Sequence, residues 1–143
     1  MCVRFYATMI QRIQTIHLIC AAIVGIVSMI IGLCHPFLND ADQGLGFVHY
    51  ANAAILLIGS VISFCSIFMF RNRQRQMKVV ALSCAIFVAG YALVIACAAT
   101  GVIQKPWSNV VFYLPILCIV FDIMARKRIK YDDDLVRSAD RLR

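Results

Sequence analysis

Four long uncharged stretches constrain this chain more than any other feature of its sequence. They run from Ile13 to Cys34, from about Tyr50 to Phe70, from Val79 to Gly101 and from about Ser108 to Ala125, with Asp122 as the one acid among them. An α-helix rises about 1.5 Å per residue, so roughly 20 apolar residues cross the ~30 Å hydrocarbon core of a bilayer. The sequence therefore predicts an all-α protein, a four-helix transmembrane bundle.

The composition supports a membrane protein and excludes a separate soluble enzyme domain. Of 143 residues, 62% are hydrophobic and 15% are charged, which is more apolar than a soluble domain of this size can bury. The remaining loops and tail are too short to form a core of their own. We expect a single membrane domain.

The basic residues predict the orientation of the bundle. Only Lys105 lies between the third and fourth stretches; the other thirteen Lys and Arg residues precede the first stretch, join the second to the third, or follow the fourth. The positive-inside rule then places both termini in the cytoplasm, where these residues contact anionic lipid headgroups. The net charge of +7 is explained in this way, and no motif for nucleic-acid binding accompanies it.

Small residues recur at helical spacing in two of the predicted spans. They are Ala21, Gly25, Ser28 and Gly32 in the first and Ala81, Ala85, Ala89, Ala92 and Ala96 in the third. Helices in lipid associate through such close-packing faces, so we expect both to contact neighbouring helices of the same bundle, while the oligomeric state stays open. Pro115 lies inside the fourth predicted span and should bend that helix near Val111.

The cysteines and histidines give no pattern for a metal or a cofactor. The seven cysteines include no C-x-x-C pair and fall mostly inside the predicted spans, where we expect them to pack as small apolar side chains. Of the three histidines only His35 and His49 could converge, with Asp40 or Asp42 near them, and we interpret both as polar residues at the membrane interface. We expect neither metal nor cofactor.

Asp122 is a candidate intramembrane polar site because an ionisable residue within a span is costly and usually functional. It could handle a proton or a cation. Arg126 follows at i+4, the spacing at which an acid and a base pair on a helix, and we place both near the cytoplasmic end of the fourth span. We therefore expect a structural Asp122–Arg126 pair.

Residues 126–143 form a strongly charged tail. Three aspartates at 132–134 are typical of a helix start, after which Leu135, Ala139 and Leu142 share one face. Asp133 with Arg137, and Arg137 with Asp140, are spaced for ion pairs. The sequence predicts a short cytoplasmic amphipathic helix that either rests on the membrane surface or binds a partner through Leu135, Arg137, Ser138, Asp140, Arg141 and Arg143.

Two segments resemble signatures of the domain of unknown function 4293 family. Residues 135–143, read as LVRSADRLR, are similar to its closing signature, and residues 9–15, read as MIQRIQT, are similar to its opening. The chain departs from the family pattern in its three consecutive aspartates, where an Asp-Glu pair is more usual, and in the eight residues before Met9. The resemblance therefore implies a membrane domain over residues 9–143, with residues 1–8 as an upstream extension and Met9 as the native start. The resemblance implies a small four-span protein of the inner membrane of Bacteroidetes-type bacteria, and it implies no activity, substrate or cofactor.

The favoured function is that of a non-enzymatic interaction or scaffold protein, because the tail carries more sequence detail than topology requires. A small transporter or channel component is the alternative, with Asn52, Tyr91 or Asp122 as candidates to line a polar cavity. A membrane-embedded enzyme is the third possibility, since the sequence shows no paired carboxylates, activated nucleophile or phosphate-binding loop.

Overall fold

A computed structural model describes residues 2–34, 46–69, 72–100 and 112–141, with side chains for 14–34, 47–69, 72–100, 112–135, 137 and 138. Four α-helices account for most of these residues: α1, Cys2–Cys34; α2, Gly46–Ile67; α3, Arg73–Ala99; and α4, Leu114–Arg141. The all-α prediction is confirmed. Since α1 begins at Cys2, it includes the residues before Met9, and the start at Met9 stays a prediction.

The helices stand at the corners of a square in chain order. α1 and α3 each contact α2 and α4. Leu18 of α1 and Val80 of α3 pack in one cluster with Ile129 of α4 and Ile67 at the end of α2. Further along α1 and α3, Val24 and Phe87 pack with earlier residues of the other two helices, Cys118 of α4 and Leu56 of α2. Neighbouring helices therefore run in opposite directions, and the end of the bundle at which α1 and α3 begin and α2 and α4 end is called the basic end here.

Three of the helices are long and apolar enough to cross a membrane. The qualifying segments are Gln14–Cys34, Phe47–Ile67 and Arg73–Ala99. They overlap the first three predicted spans, so membrane-spanning character is supported at all three. Residues 108–111 of the fourth predicted span lie outside the described residues, and the fourth crossing stays a prediction.

The expected break between a fourth span and a separate tail helix is wrong. α4 is one helix of 28 residues that continues from Leu114 to Arg141. Residues 116–143 contain neither Gly nor Pro, so nothing in the sequence stops the helix where its apolar stretch ends at Ala125. The three aspartates therefore lie inside a helix rather than at the start of one.

Pro115 is also placed differently from the prediction. It is the second residue of α4, and the backbone N–H of the next residue, Ile116, donates to the Tyr113 carbonyl oxygen at 3.2 Å. The first N–H groups of a helix have no intrahelical acceptor, so a proline is accommodated there without a bend. The predicted position near Val111 lies outside the described residues.

The centre of the bundle is filled by one aromatic ring that packs against two glycines. Phe87 of α3 is fully buried, and a Cβ atom added at Gly59 of α2 would lie 2.9 Å from its ring, while one at Gly25 of α1 would lie 3.3 Å from it. Distances of that size leave no room for a side chain at either position. The glycines thus allow three helices to approach closely enough to enclose the ring.

Of the two predicted small-residue faces, the one on α1 is buried in the bundle and the one on α3 is not. The α1 face is confirmed, because Ala21, Gly25, Ser28 and Gly32 are all buried. The α3 face is wrong within the chain: Ala85, Ala89, Ala92 and Ala96 are exposed and Ala81 is half-buried, while α3 buries Gln76, Val80, Ser83, Phe87, Gly90 and Val94. The large Phe87 occupies the space left by small residues of α1 and α2, so α3 turns its alanines outward.

Candidate functional site

Asp122 lies at the centre of a polar contact between three helices. Its side chain is 0% exposed. The Ser63 hydroxyl of α2 lies 3.1 Å from Asp122 Oδ1, and the Ser83 hydroxyl of α3 lies 2.7 Å from Asp122 Oδ2. Each carboxyl oxygen of Asp122 is therefore hydrogen-bonded to a hydroxyl group from a neighbouring helix, in a layer of the bundle that is closed to solvent.

Helical periodicity explains why these side chains meet. Cys118, Asp122, Ala125 and Ile129 are buried on α4 at intervals of four, three and four residues, which is the spacing of one helix face. On α2, Ser60, Ser63 and Ser66 are buried at intervals of three. A polar residue on each face thus falls at the same level of the bundle and points toward its axis.

The depth of Asp122 differs from the prediction. Its partner Ser83 lies ten residues after Arg73, the first residue of α3, which is roughly 15 Å along the helix axis from the basic end. Asp122 is therefore buried among packed helices rather than placed where headgroups and water reach it. Its immediate environment is made by the protein.

The expected Asp122–Arg126 pair is also wrong. Arg126 is exposed, and the ion pairs among the described side chains join Arg73 with Asp132 and Arg137 with Asp133. An i+4 spacing permits contact but does not require it. Here Asp122 faces the bundle interior while Arg126 turns outward, so the two candidate residues of the polar site are not brought together.

Asp132 forms the second buried acidic contact of α4, at the basic end. Its Oδ2 lies 2.9 Å from Arg73 Nη1, and the same nitrogen donates to the Asp132 carbonyl oxygen at 3.1 Å. The Asp132 side chain is 6% exposed and the Arg73 side chain is 23% exposed. Asn72 caps α3 through its side-chain oxygen, which accepts from the Arg75 N–H, and so fixes the start of the helix that carries Arg73. The ion pair holds α4 against α3 beyond the apolar part of the bundle.

The predicted partner-binding residues lie on the last turns of α4. Leu135 and Ser138 are exposed, and the Ser138 hydroxyl donates to the Leu135 carbonyl oxygen at 2.8 Å. The predicted Asp133–Arg137 pair is confirmed at 3.1 Å. Asp140 and Arg141 belong to the helix, but their side chains, like Arg143, lie outside the part that the structure describes.

Toward the opposite end of the bundle, a crevice is lined by Ser28, His49 and Asn52. Ser28 Oγ and Asn52 Oδ1 are buried and have no hydrogen-bond partner among the described residues, and the space between the helices there is too narrow for a water molecule. Tyr91, a second residue predicted to line a cavity, packs instead against Phe112 with 5.4 Å between ring centroids. The candidate cavity residues therefore do not converge on one another.

The histidines and acids of the described residues form no metal centre. No group of three or more His, Cys, Asp or Glu side chains in that part of the chain could hold an ion. His17 packs edge-on against Phe121, with 6.4 Å between ring centroids. The predicted interfacial pair of His49 with His35 cannot be compared, because His35, Asp40 and Asp42 lie outside the described residues.

Sequence reasoning identified Asp122 but missed its partners. Ser63 and Ser83 lie 59 and 39 residues away along the chain, and Arg73 lies 59 residues from Asp132. One signal was present: Ser60, Ser63 and Ser66 recur every three residues in an apolar stretch, which marks a polar face. That face predicts a buried polar contact without telling which residue completes it.

These features define a small α-helical bundle with three helices able to span a membrane and a buried carboxylate on the fourth. The sequence profile of Domain of unknown function (DUF4293) matches residues 10–142. The chain belongs to this family, as the resemblance at its two ends predicted. The comparisons with curated proteins and with solved structures found no match.

Proposed function

We propose that this chain is a multi-pass protein of the bacterial inner membrane, with its basic end in the cytoplasm, that acts as an interaction or scaffold protein. The fourth crossing is made by the apolar part of α4 together with residues before it. Exposed Arg75, Lys78, Arg126 and Lys127 lie at the basic end, where they contact anionic headgroups. This placement leaves the last turns of α4 in the cytoplasm.

The observation that carries the proposal is the continuity of α4. The helix extends 16 residues beyond Ala125, about 24 Å at the usual rise, and Arg73 holds it at Asp132. Its last turns are therefore an ordered helix rather than a flexible tail. A helix that is already formed loses little conformational entropy when a partner binds it, which favours a docking role.

The chemistry of the last turns indicates the kind of partner. Leu135 is 42% exposed, and at 100° per residue it lies about 60° around the helix from the buried Asp132. It thus lies at the edge of the face that packs on the bundle, with its side chain partly exposed. Arg137, Arg141 and Arg143 follow it, so the partner we propose is a protein with an apolar groove for Leu135 and acidic side chains beside it.

A shortened chain tests this proposal. A version ending at Asp134 removes the candidate docking residues and keeps Asp132 for its contact with Arg73. We expect affinity purification from native membranes to recover a partner with the full chain and to lose it with the shortened one. The same set of bound proteins from both chains would contradict the proposal.

A matched pair of leucines separates docking from general destabilisation. Leu135 and Leu117 are 42% and 46% exposed on the same helix, and Leu117 lies in the apolar part. Leu135→Ala should lower recovery of the partner at least about tenfold, the effect of losing one well-placed anchor of ~1.4 kcal/mol. Leu117→Ala should leave it unchanged, and equal losses in both variants would count against the docking surface.

Transport of protons or small cations is the second candidate, and the buried Asp122 is the observation that favours it. An ionisable side chain inside a membrane bundle usually serves ion handling. Flux of protons, Na⁺ and K⁺ into proteoliposomes tests this candidate by comparing the natural chain with Asp122→Asn. Flux equal to that of protein-free vesicles, for all three ions, would remove it.

A further inference from the structure

The Ser83 hydroxyl has two acceptors within hydrogen-bond distance but only one hydrogen to donate. The Ser83 hydroxyl lies 2.9 Å from the Val80 carbonyl oxygen and 2.7 Å from Asp122 Oδ2. A hydroxyl group has one hydrogen to donate and two lone pairs that accept. A carbonyl oxygen only accepts, so with an ionised Asp122 the two short contacts must share the single hydrogen of Ser83.

A proton on Asp122 supplies a second hydrogen. With Oδ2 protonated, Asp122 donates to the Ser83 oxygen, and Ser83 donates in turn to the Val80 carbonyl oxygen. The Ser63 hydroxyl donates to the other carboxyl oxygen, Oδ1, at 3.1 Å. Every short polar contact then has a hydrogen of its own, whereas an ionised carboxylate would leave the Val80 carbonyl oxygen and Asp122 Oδ2 to share one hydrogen in a weaker three-centre bond.

The charge balance around Asp122 leads to the same assignment. The groups near it are Ser63 from α2, Ser83 from α3 with half-buried Cys84 beside it, and buried Cys118 one turn back on α4. From α1, the apolar Leu18 packs against Ala125, the next buried residue of α4. His17 of α1 contacts Phe121, and Arg126 is exposed. An ionised carboxylate in this layer would be a buried charge without a cationic partner among the described residues, which is strongly unfavourable.

We propose that Asp122 is a proton-binding site, with the proton carried on Oδ2 at neutral pH and held between Ser83 and Ser63. Release of the proton to a base in solution leaves a carboxylate, and the Ser83 hydroxyl then rotates from the Val80 carbonyl to donate to Oδ2. One proton is thus exchanged together with the reorientation of one hydroxyl that links α3 to α4. The assignment holds whether or not a partner docks on the end of α4.

Infrared spectroscopy of the full chain in lipid nanodiscs tests the proposal directly. All seven acidic side chains of the sequence are aspartates, and an ionised carboxylate lacks the C=O stretching band of a carboxylic acid. At pH 7 we expect one such band, which shifts when aspartate is labelled with ¹³C at its carboxyl carbon. The band should disappear in Asp122→Asn and persist in the control Asp132→Asn.

The hydrogen-bond assignment predicts a second spectral effect that does not depend on removing Asp122. Ser63→Ala takes away the donor to Oδ1, the carbonyl oxygen of the acid, so the C=O band should move to higher frequency. Ser66→Ala is the matched control, because Ser66 donates to the Ser63 carbonyl oxygen rather than to Asp122 and should leave the band in place.

Two results would overturn the proposal. The first is a spectrum of the labelled natural chain without a carboxylic acid band at pH 7. The second is a band that is lost when Na⁺ or K⁺ is added at constant pH, which would indicate a site for a metal cation. Circular dichroism of each variant confirms that helix content is retained, and Asn at position 122 can still donate to Ser83 and accept from Ser63.

Discussion

Asp122 and Asp132 are two buried acids on one helix, ten residues apart, with different kinds of partner. Asp122 contacts two hydroxyl groups inside the bundle, and Asp132 contacts a guanidinium group at the basic end. The kind of partner differs because Asp122 lies deeper in the bundle than Asp132. An arginine opposite Asp122 would have to lose its water completely, whereas Arg73 keeps 23% of its side chain exposed. A buried acid in the interior of the bundle is therefore stabilised by neutral hydroxyl groups, and one at the basic end by a charged guanidinium group.

The largest expected effect breaks this comparison by placing a lysine at the position of each acid. Asp122→Lys buries an ammonium group beside two hydroxyls, a change that should cost about 3 kcal/mol or more. Asp132→Lys loses the ion pair with Arg73 and adds repulsion, but its long side chain can reach water at the end of the bundle, so we expect about 2 kcal/mol. Thermal unfolding in a mild detergent measures both, and equal losses would contradict the difference in depth.

A smaller effect comes from replacing each acid by its amide. Asp132→Asn removes the charge that pairs with Arg73 and should lower the free energy of unfolding by about 1–2 kcal/mol. Asp122→Asn keeps a donor and an acceptor in place and should cost no more than about 0.5 kcal/mol. Unfolding titrations at pH 7 compare the two variants, and a larger loss at Asp122 would mean that its charge is needed.

The two serines give a third and smaller effect. Hydrogen bonds between helices of a membrane bundle contribute about 0.6 kcal/mol on average, so Ser63→Ala and Ser83→Ala should each cost about that much. Ser60→Ala is the control, because its hydroxyl donates to the Leu56 carbonyl oxygen of its own helix. The same titration should show a smaller loss for the control than for either contact of Asp122.

The smallest effect is the response to salt. The contribution of Arg73 and Asp132 is partly screened by ions at the basic end, so the stability difference between the natural chain and Asp132→Asn should shrink by up to about 0.5 kcal/mol in 1 M KCl. The difference for Asp122→Asn should not change. A salt response at Asp122 would show that ions reach it.

The sequence predicted the parts of this molecule that depend on local pattern. Long apolar stretches identified the helices, and helical spacing identified the buried small face of α1. Asp122 stood out as the one acid in a span. The continuity of α4 was also readable, since no Gly or Pro follows Pro115, but the three aspartates were interpreted as a helix start.

The features that the sequence did not predict depend on contacts between distant parts of the chain. Spacing predicted an alanine face on α3 as the packing face, whereas the structure buries Phe87 against Gly25 and Gly59 of other helices. In the same way, Asp122 could be paired with nearby Arg126 by sequence, whereas Ser63 and Ser83 reach it only once four helices pack. Periodicity tells which faces exist but not which face meets which.

Cysteine accessibility compares the two acids most directly. In a background with the seven native cysteines replaced, Asp122→Cys and Asp132→Cys are treated with a small maleimide in native membranes opened on both sides. We predict rapid labelling at position 132, where removal of the acid frees a site next to half-buried Arg73 at the basic end, and labelling at least about tenfold slower at position 122. Equal rates at the two positions would contradict the account of a dry polar layer inside the bundle.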